Sequence, residues 1–409
     1  MPSPRLTTTL ALTAVASCVM YFALGLYVHR HADESLRLAV VHLKNGEHAD
    51  ARSDLSWLLW FQPDHSKALH LTGLSYLDEQ NLSAGIKDLA RVDVKSAVYQ
   101  DARINLVAGL MSDQQWERAK SVLEKFLSRH QDSLIARRLL SGMLLTELRR
   151  RDAVRTLTNY LQLPSSSRAP FSDQLTLLLD LLIAEFSPPS EMECQTKLEE
   201  VDRKRPNQPA VRLALGRCYW KLGRMDDAEP LLREAAQRQP LDPRTRLISS
   251  GFFLDQNDSE AAEHALLRGD SDRAAGESSQ LLEQDDRFWE LLCRIAELRG
   301  DYAQALNEIE QALTIRPHNR EYEARRARLL QRLLRANDAR EAYERSHTLG
   351  KSELELWHLS QKLGGQVPTT EQCTQVAELY ESLGKTLQAA AWRQLAEQID
   401  REPTQRSAA

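Results

Sequence analysis

The chain has 409 residues and a formal charge of −5, from 53 Lys and Arg against 58 Asp and Glu; this balance argues against a general nucleic-acid binder, which needs excess cation to displace counterions. Its 16 Gly, 15 Pro and 6% aromatic residues are too few for a turn-rich sandwich or barrel and favour long helices. An apolar content of 42% argues against a disordered chain.

The first element, from Leu6 to Val28, is an uncharged run bounded by Arg5 on one side and His29-Arg30-His31 on the other. As a helix it would measure ~35 Å at ~1.5 Å per residue, enough to cross a ~30 Å hydrocarbon core. Val15-Ala16-Ser17-Cys18 has the form of a lipoprotein cleavage box, but apolar sequence continues after Cys18, so an uncleaved single-span anchor is the expectation. Arg30, Arg37 and Lys44 follow the span closely, which leans toward a cytoplasmic body.

Beyond residue 31 the chain repeats every 34 residues. The stretch 209–242 carries Leu215, Gly216, Tyr219, Gly223, Ala228, Leu232, Ala235 and Pro240. The stretch 286–319 carries Trp289, Leu292, Gly300, Ala305, Ile309, Ala312 and Pro317 in the same register. Four units, 32–65, 66–99, 100–133 and 134–167, follow one another in phase. A linker and a degenerate unit occupy 168–208. Further units fill 209–403, with irregular segments near 265–285 and 354–369, including an extra helix at 354–363. The tail 404–409 is expected to be disordered. Each unit predicts two amphipathic helices, with small residues at its eighth and twentieth positions for close helix approach. A proline at its thirty-second position ends the second helix.

This pattern resembles the tetratricopeptide repeat family, over nearly everything after residue 31. The resemblance implies an all-α, right-handed superhelical solenoid of helix-turn-helix repeats, here with one N-terminal transmembrane helix. It also implies a concave groove that holds a protein or peptide partner, lined by repeat positions 2, 5, 9, 12 and 13. Carried onto this chain, those positions give Arg217, Trp220 and Lys221 in one unit, Arg294 in the next, and Arg328 and Arg332 in the third. Arginine suits forked contacts with carboxylates, and tryptophan supplies contact area at low entropic cost. On this reading, Arg217→Glu combined with Trp220→Ala weakens partner capture without changing melting. The asparagine that the carboxylate-clamp subfamily carries at position 9 is absent from every unit, which disfavours chaperone-tail recognition by that clamp.

Chemistry is sparse. There is no Gly-rich phosphate loop, HExxH or GxSxG. The histidines at 29, 31, 42, 48, 65 and 70 have no convincing ligand spacing, and the five cysteines, at 18, 194, 218, 293 and 373, have none either. No cofactor, metal, small-molecule substrate or nucleic acid is expected. The reading is a membrane-anchored, non-catalytic scaffold or adaptor, which resembles single-span tetratricopeptide repeat proteins of bacterial envelopes and so implies a bacterial inner membrane. The alternative is a regulatory or substrate-presenting subunit of a membrane enzyme or export machine.

Overall fold

The computed structural model describes residues 31–164, 169–267, 280–364 and 366–406, and all regular secondary structure within them is α-helical. The chain divides into two compact units, one ending at Arg129 and one beginning at His130. The first holds α1 (31–45), α2 (His48–Phe61), α3 (Ser66–Asp78), α4 (Leu82–Arg91), α5 (Tyr99–Ser112) and α6 (Trp116–Leu127). The second holds α7 (Leu134–Thr146), α8 (Arg150–Leu161), α9 (Phe171–Phe186), α10 (Glu191–Lys204), α11 (Pro209–Lys221), α12 (Met225–Arg238), α13 (Pro243–Asp255) and α14 (Ser259–Leu267). It continues through α15, described at 280–283, to α16 (Asp286–Leu298), α17 (Tyr302–Ile315), α18 (Arg320–Arg332), α19 (Ala336–Leu363), α20 (Thr370–Ser382) and α21 (Thr386–Arg406).

The repeat shows why these helices form where they do. The fifteenth residue of most units takes a left-handed backbone between the two helices: Gly46, Gln80, Gln114, Leu148, Gly223, Asn257, Gly300, Leu334 and Gly384 all have positive φ. That conformation ends the first helix and turns the chain back. Five residues later a small side chain is sealed against its neighbours, as with Ala51, Ala119, Ala153, Ala228 and Ala305, each 0% exposed. In the second unit from the amino end the requirement is stricter. A Cβ on Gly73 would come within 2.6 Å of the Leu89 side chain, and one on Gly85 within 2.9 Å of the Gly73 carbonyl oxygen. Only two glycines let these helices approach so closely.

The register persists up to the irregular segment near 265–285. Asn257 and buried Ala262 take the fifteenth and twentieth places of a unit starting at Pro243, so α13 and α14 form an ordinary pair. The expected insertion that follows falls mostly on 268–279, outside the described residues. The helix expected at 354–363 is the second half of α19, a single helix of 28 residues. No Gly or Pro occurs between Lys351 and Leu363 to interrupt it.

One expectation needs correction. The transmembrane helix predicted at 6–28 lies outside the described residues, and among the described residues no helix is long and apolar enough to cross a membrane. The described helices are amphipathic or short. Even apolar α9 has 16 residues and carries Asp173, Asp180 and Glu185. The fold class is therefore an all-α solenoid without an observed membrane span. The single-pass inner-membrane placement and membrane anchoring are therefore unsupported by the described residues.

The second unit closes on itself. Leu157, Tyr160, Leu177 and Leu181 share one core with Leu356, Val376, Tyr380, Trp392 and Leu395, so α8 and α9 pack against α19, α20 and α21. Polar bonds follow the same seam: Lys385 Nζ lies 2.5 Å from Glu185 Oε2, and Gln398 Nε2 donates to Gln174 Oε1 at 3.1 Å. Cys194, Cys218, Cys293 and Cys373 are buried in the packing. Burial pushes the Cys194 and Cys373 thiols up to about 11 and Cys218 to about 12, so they stay neutral and unreactive.

Candidate functional site

Closure of the second unit leaves a central cavity of about 1030 Å³. Its floor is the α7–α8 turn. Left-handed Leu148 turns the chain there, and α8 begins with Arg150, Arg151 and Asp152. Arg151 reaches across to the start of α16, where its Nη1 lies 2.6 Å from Asp286 Oδ1, and its Nη2 donates to the Tyr322 hydroxyl at 3.3 Å. The Tyr322 hydroxyl in turn donates to Asp286 Oδ2 at 2.7 Å. Burial is the main cause that pushes the Tyr322 phenol upward, so it remains a donor to Asp286. The neighbouring Asp285 caps α16 and grips Arg287 with both oxygens, at 2.9 and 2.5 Å. Burial alone would raise the Asp285 carboxyl, but the Arg287 fork outweighs it and holds the group below its ordinary range.

Ten Arg and Lys side chains line this cavity against six Asp and Glu, in a chain whose overall charge is −5. A second, shallower concavity of about 750 Å³ adjoins it, sharing Arg320, Glu321, Gly350 and Leu354. Helix α19 runs along both. Its residues Tyr343, His347, Gly350, Leu354 and Trp357 recur at helical spacing and line one or the other. Three of them are large and exposed, Tyr343 at 65%, Leu354 at 56% and Trp357 at 43%. The opposite stripe, through Ala342, Leu349, Leu356 and Leu363, is buried.

The six residues singled out in the sequence are dispersed. Arg217 lines the central cavity and donates from Nη1 to the Leu148 carbonyl at 2.8 Å. Burial, with Arg287 close by, pulls its guanidinium down to about 10. Trp220 is a core side chain, 8% exposed, packed edge-on against Phe252 with its indole N–H on Asp255 Oδ2 at 2.9 Å. The same carboxylate takes Arg294 through its other oxygen at 2.5 Å. Lys221 places its ammonium over the Trp220 ring at 4.1 Å, so this cation covers an aromatic that is already buried. Arg328 is exposed on α18 and lines the second concavity. Arg332 stacks 5.8 Å from the Tyr302 ring centroid.

Truncating Trp220 would cost about 3–5 kcal/mol of core packing. The expectation that Arg217→Glu with Trp220→Ala leaves melting unchanged is therefore overturned. The sequence reading missed the cluster at 149–152 and the α19 stripe. A run of three arginines and the 343–347–354 spacing were the available signals, but neither stands at a repeat position that normally faces a groove.

Three of the histidines near the amino end have local partners. His42 Nδ1 meets Asp54 at 2.8 Å, His65 accepts the Ala68 N–H at the start of α3, and His70 Nε2 lies 3.1 Å from the Asn105 amide. Among the described residues no group of three His, Cys, Asp or Glu is placed to hold a metal.

The tetratricopeptide repeat profile matches residues 195–250, which span the end of the degenerate unit, α11, α12 and part of α13. No curated protein matches the sequence. Among solved structures, a MamA fragment from Desulfovibrio magneticus RS-1 is 16% identical, with 45% of this chain and 98% of that one covered at a TM-score of 0.33. The pilF protein of Pseudomonas aeruginosa is 17% identical, covering 54% and 90% at 0.33. MamA of MSR-1 is 15% identical, covering 44% and 97% at 0.31. These low scores carry nothing about partner or process.

Proposed function

We propose that this chain, a tetratricopeptide repeat protein, is a non-catalytic adaptor that binds a segment of a protein partner inside its second unit. One observation carries the reading: the exposed stripe Tyr343, His347, Leu354 and Trp357 on α19, which passes through both concavities. A rigid helix that presents aromatic and aliphatic side chains into a concave surface has the chemistry of a hot-spot row. Arg328 and Lys351 beside the stripe favour a segment whose apolar anchors are flanked by acidic residues.

The test is a selection from a displayed random-peptide library on the full chain, followed by titration of the enriched sequences. Leu354→Gln and Tyr343→Gln replace exposed side chains with a good helix former, so melting should stay within about 1 kcal/mol of the parent. Enriched peptides should carry apolar anchors with acidic flanks and bind the double variant about tenfold or more weakly. Failure to enrich any sequence, or equal binding by the variant, would remove the adaptor reading.

A further inference from the structure

The central cavity differs from a solvated charged face in how its cations are balanced. Eight of its ten cationic side chains have a carboxylate at 2.5–3.9 Å. The other two, Arg150 and Arg217, have no carboxylate within ion-pair distance among the described residues. Arg217 spends one N–H on the Leu148 carbonyl; burial works against its charge, Arg287 and Arg151 add to this, and Glu191 acts the other way. Arg150 is exposed to the water in the cavity; burial by the cavity wall is the main cause that works against its charge, Arg316 adds to this, and Glu185, Glu353 and Glu321 act the other way without pairing with it.

Removing a guanidinium from bulk water without a counter-ion is unfavourable, and folds seldom retain such groups unless something else supplies the anion. Two guanidiniums without an ion-pair partner on the wall of one cavity, beside eight cations that already have one, leave donors free for an added negative charge. A guanidinium offers five N–H donors in a planar fork that matches carboxylate and phosphate oxygens. The excess of cations would also draw anions inward.

We propose that the central cavity binds an oxyanionic ligand, carboxylate or phosphate, through Arg150 and Arg217. Leu354 and Trp357 of the α19 stripe line the same cavity, but Arg150 and Arg217 belong to α8 and α11: pyrophosphate binding lost in Arg150→Gln and Arg217→Gln is read separately from peptide binding lost in Leu354→Gln and Tyr343→Gln.

The experiment titrates the full chain at low salt with inorganic pyrophosphate, with a blocked glutamate-rich hexapeptide, and with the same hexapeptide carrying glutamine. At least one of the first two should bind saturably, raise the melting temperature and lose affinity as chloride is added, while the glutamine peptide should not bind. Pyrophosphate binding identifies a free anion as sufficient; binding by the glutamate peptide alone identifies an acidic protein segment. Arg150→Gln and Arg217→Gln should each weaken that binding about tenfold or more. Because neither guanidinium makes an ion pair in the parent, both variants should melt close to the parent without ligand. Absence of saturable binding by both probes, or equal affinity in both variants, would overturn the proposal. A marked loss of ligand-free stability in Arg217→Gln would show that its bond to Leu148 is structural, and would also overturn it.

Discussion

At the residue scale, the left-handed position between paired helices separates what repeat geometry demands from what each side chain contributes. Leu334 holds φ at 59° while 91% exposed, so its side chain buries almost nothing in return for the strained backbone. A left-handed L-residue costs about 1–2 kcal/mol, whereas glycine adopts the conformation freely and adds about 0.5–1 kcal/mol of unfolded-state entropy. Leu334→Gly should therefore stabilise the chain by about 0.5–1 kcal/mol, read as a higher urea midpoint with an unchanged slope. A lower midpoint would mean that the turn is held by the leucine side chain after all. The small residues five places later were legible in the sequence, because only their size matters. Trp220 was not: a repeat position that can face the groove can equally face the next helix. Here Asp255 and Phe252 claim the indole.

At the element scale, the sequence resolves helix pairs well wherever a small residue and an apolar stripe recur together. It understates continuity where a repeat lacks its usual glycine. The α13–α14 pair has Ser250 and Asn257 at the places where glycine or alanine would announce the register, yet both backbone positions are used in the ordinary way. In α19 the extra half-helix at 354–363 was legible in the sequence, but its fusion to the preceding helix depends on the absence of a breaker, a weak signal in a single sequence. Lys351 is exposed at the middle of this helix, upstream of the buried Leu356, Leu359 and Leu363. Lys351→Pro removes a backbone donor and clashes with the preceding turn, at about 3 kcal/mol or more. It should also pivot the downstream half off α9. Circular dichroism with thermal melting would then report a drop of several degrees, whereas Lys351→Ala should melt like the parent. Equal melting of both variants would indicate that the helix is already broken at this point.

At the scale of the whole second unit, closure is the property that no repeat count could anticipate. In an open array each repeat touches only its neighbours, so removing the last pair should loosen the pair before it and leave distant repeats alone. Here Trp392 and Tyr380 are fully buried in a core shared with Leu157, Leu177 and Leu181, some two hundred residues earlier in the chain. Glu185, with only 3% of its side chain exposed, depends on Lys385 for its counter-charge. Nothing in the local sequence of α9 names these partners; its near-continuous apolar surface only announces that two faces must be covered. A chain ending at Gly364 should accordingly lose amide-exchange protection in α8 and α9 as well as α19, while α11 and α12 keep theirs. A milder probe of the seam is Lys385→Met, which strands the Glu185 carboxylate and should cost about 3 kcal/mol. Replacing both residues together, Glu185→Leu with Lys385→Met, should recover most of that loss, because the buried charge disappears with its partner. Protection lost only in α18 and α19, with α8 and α9 unaffected, would mean that the second unit behaves as an open array in solution.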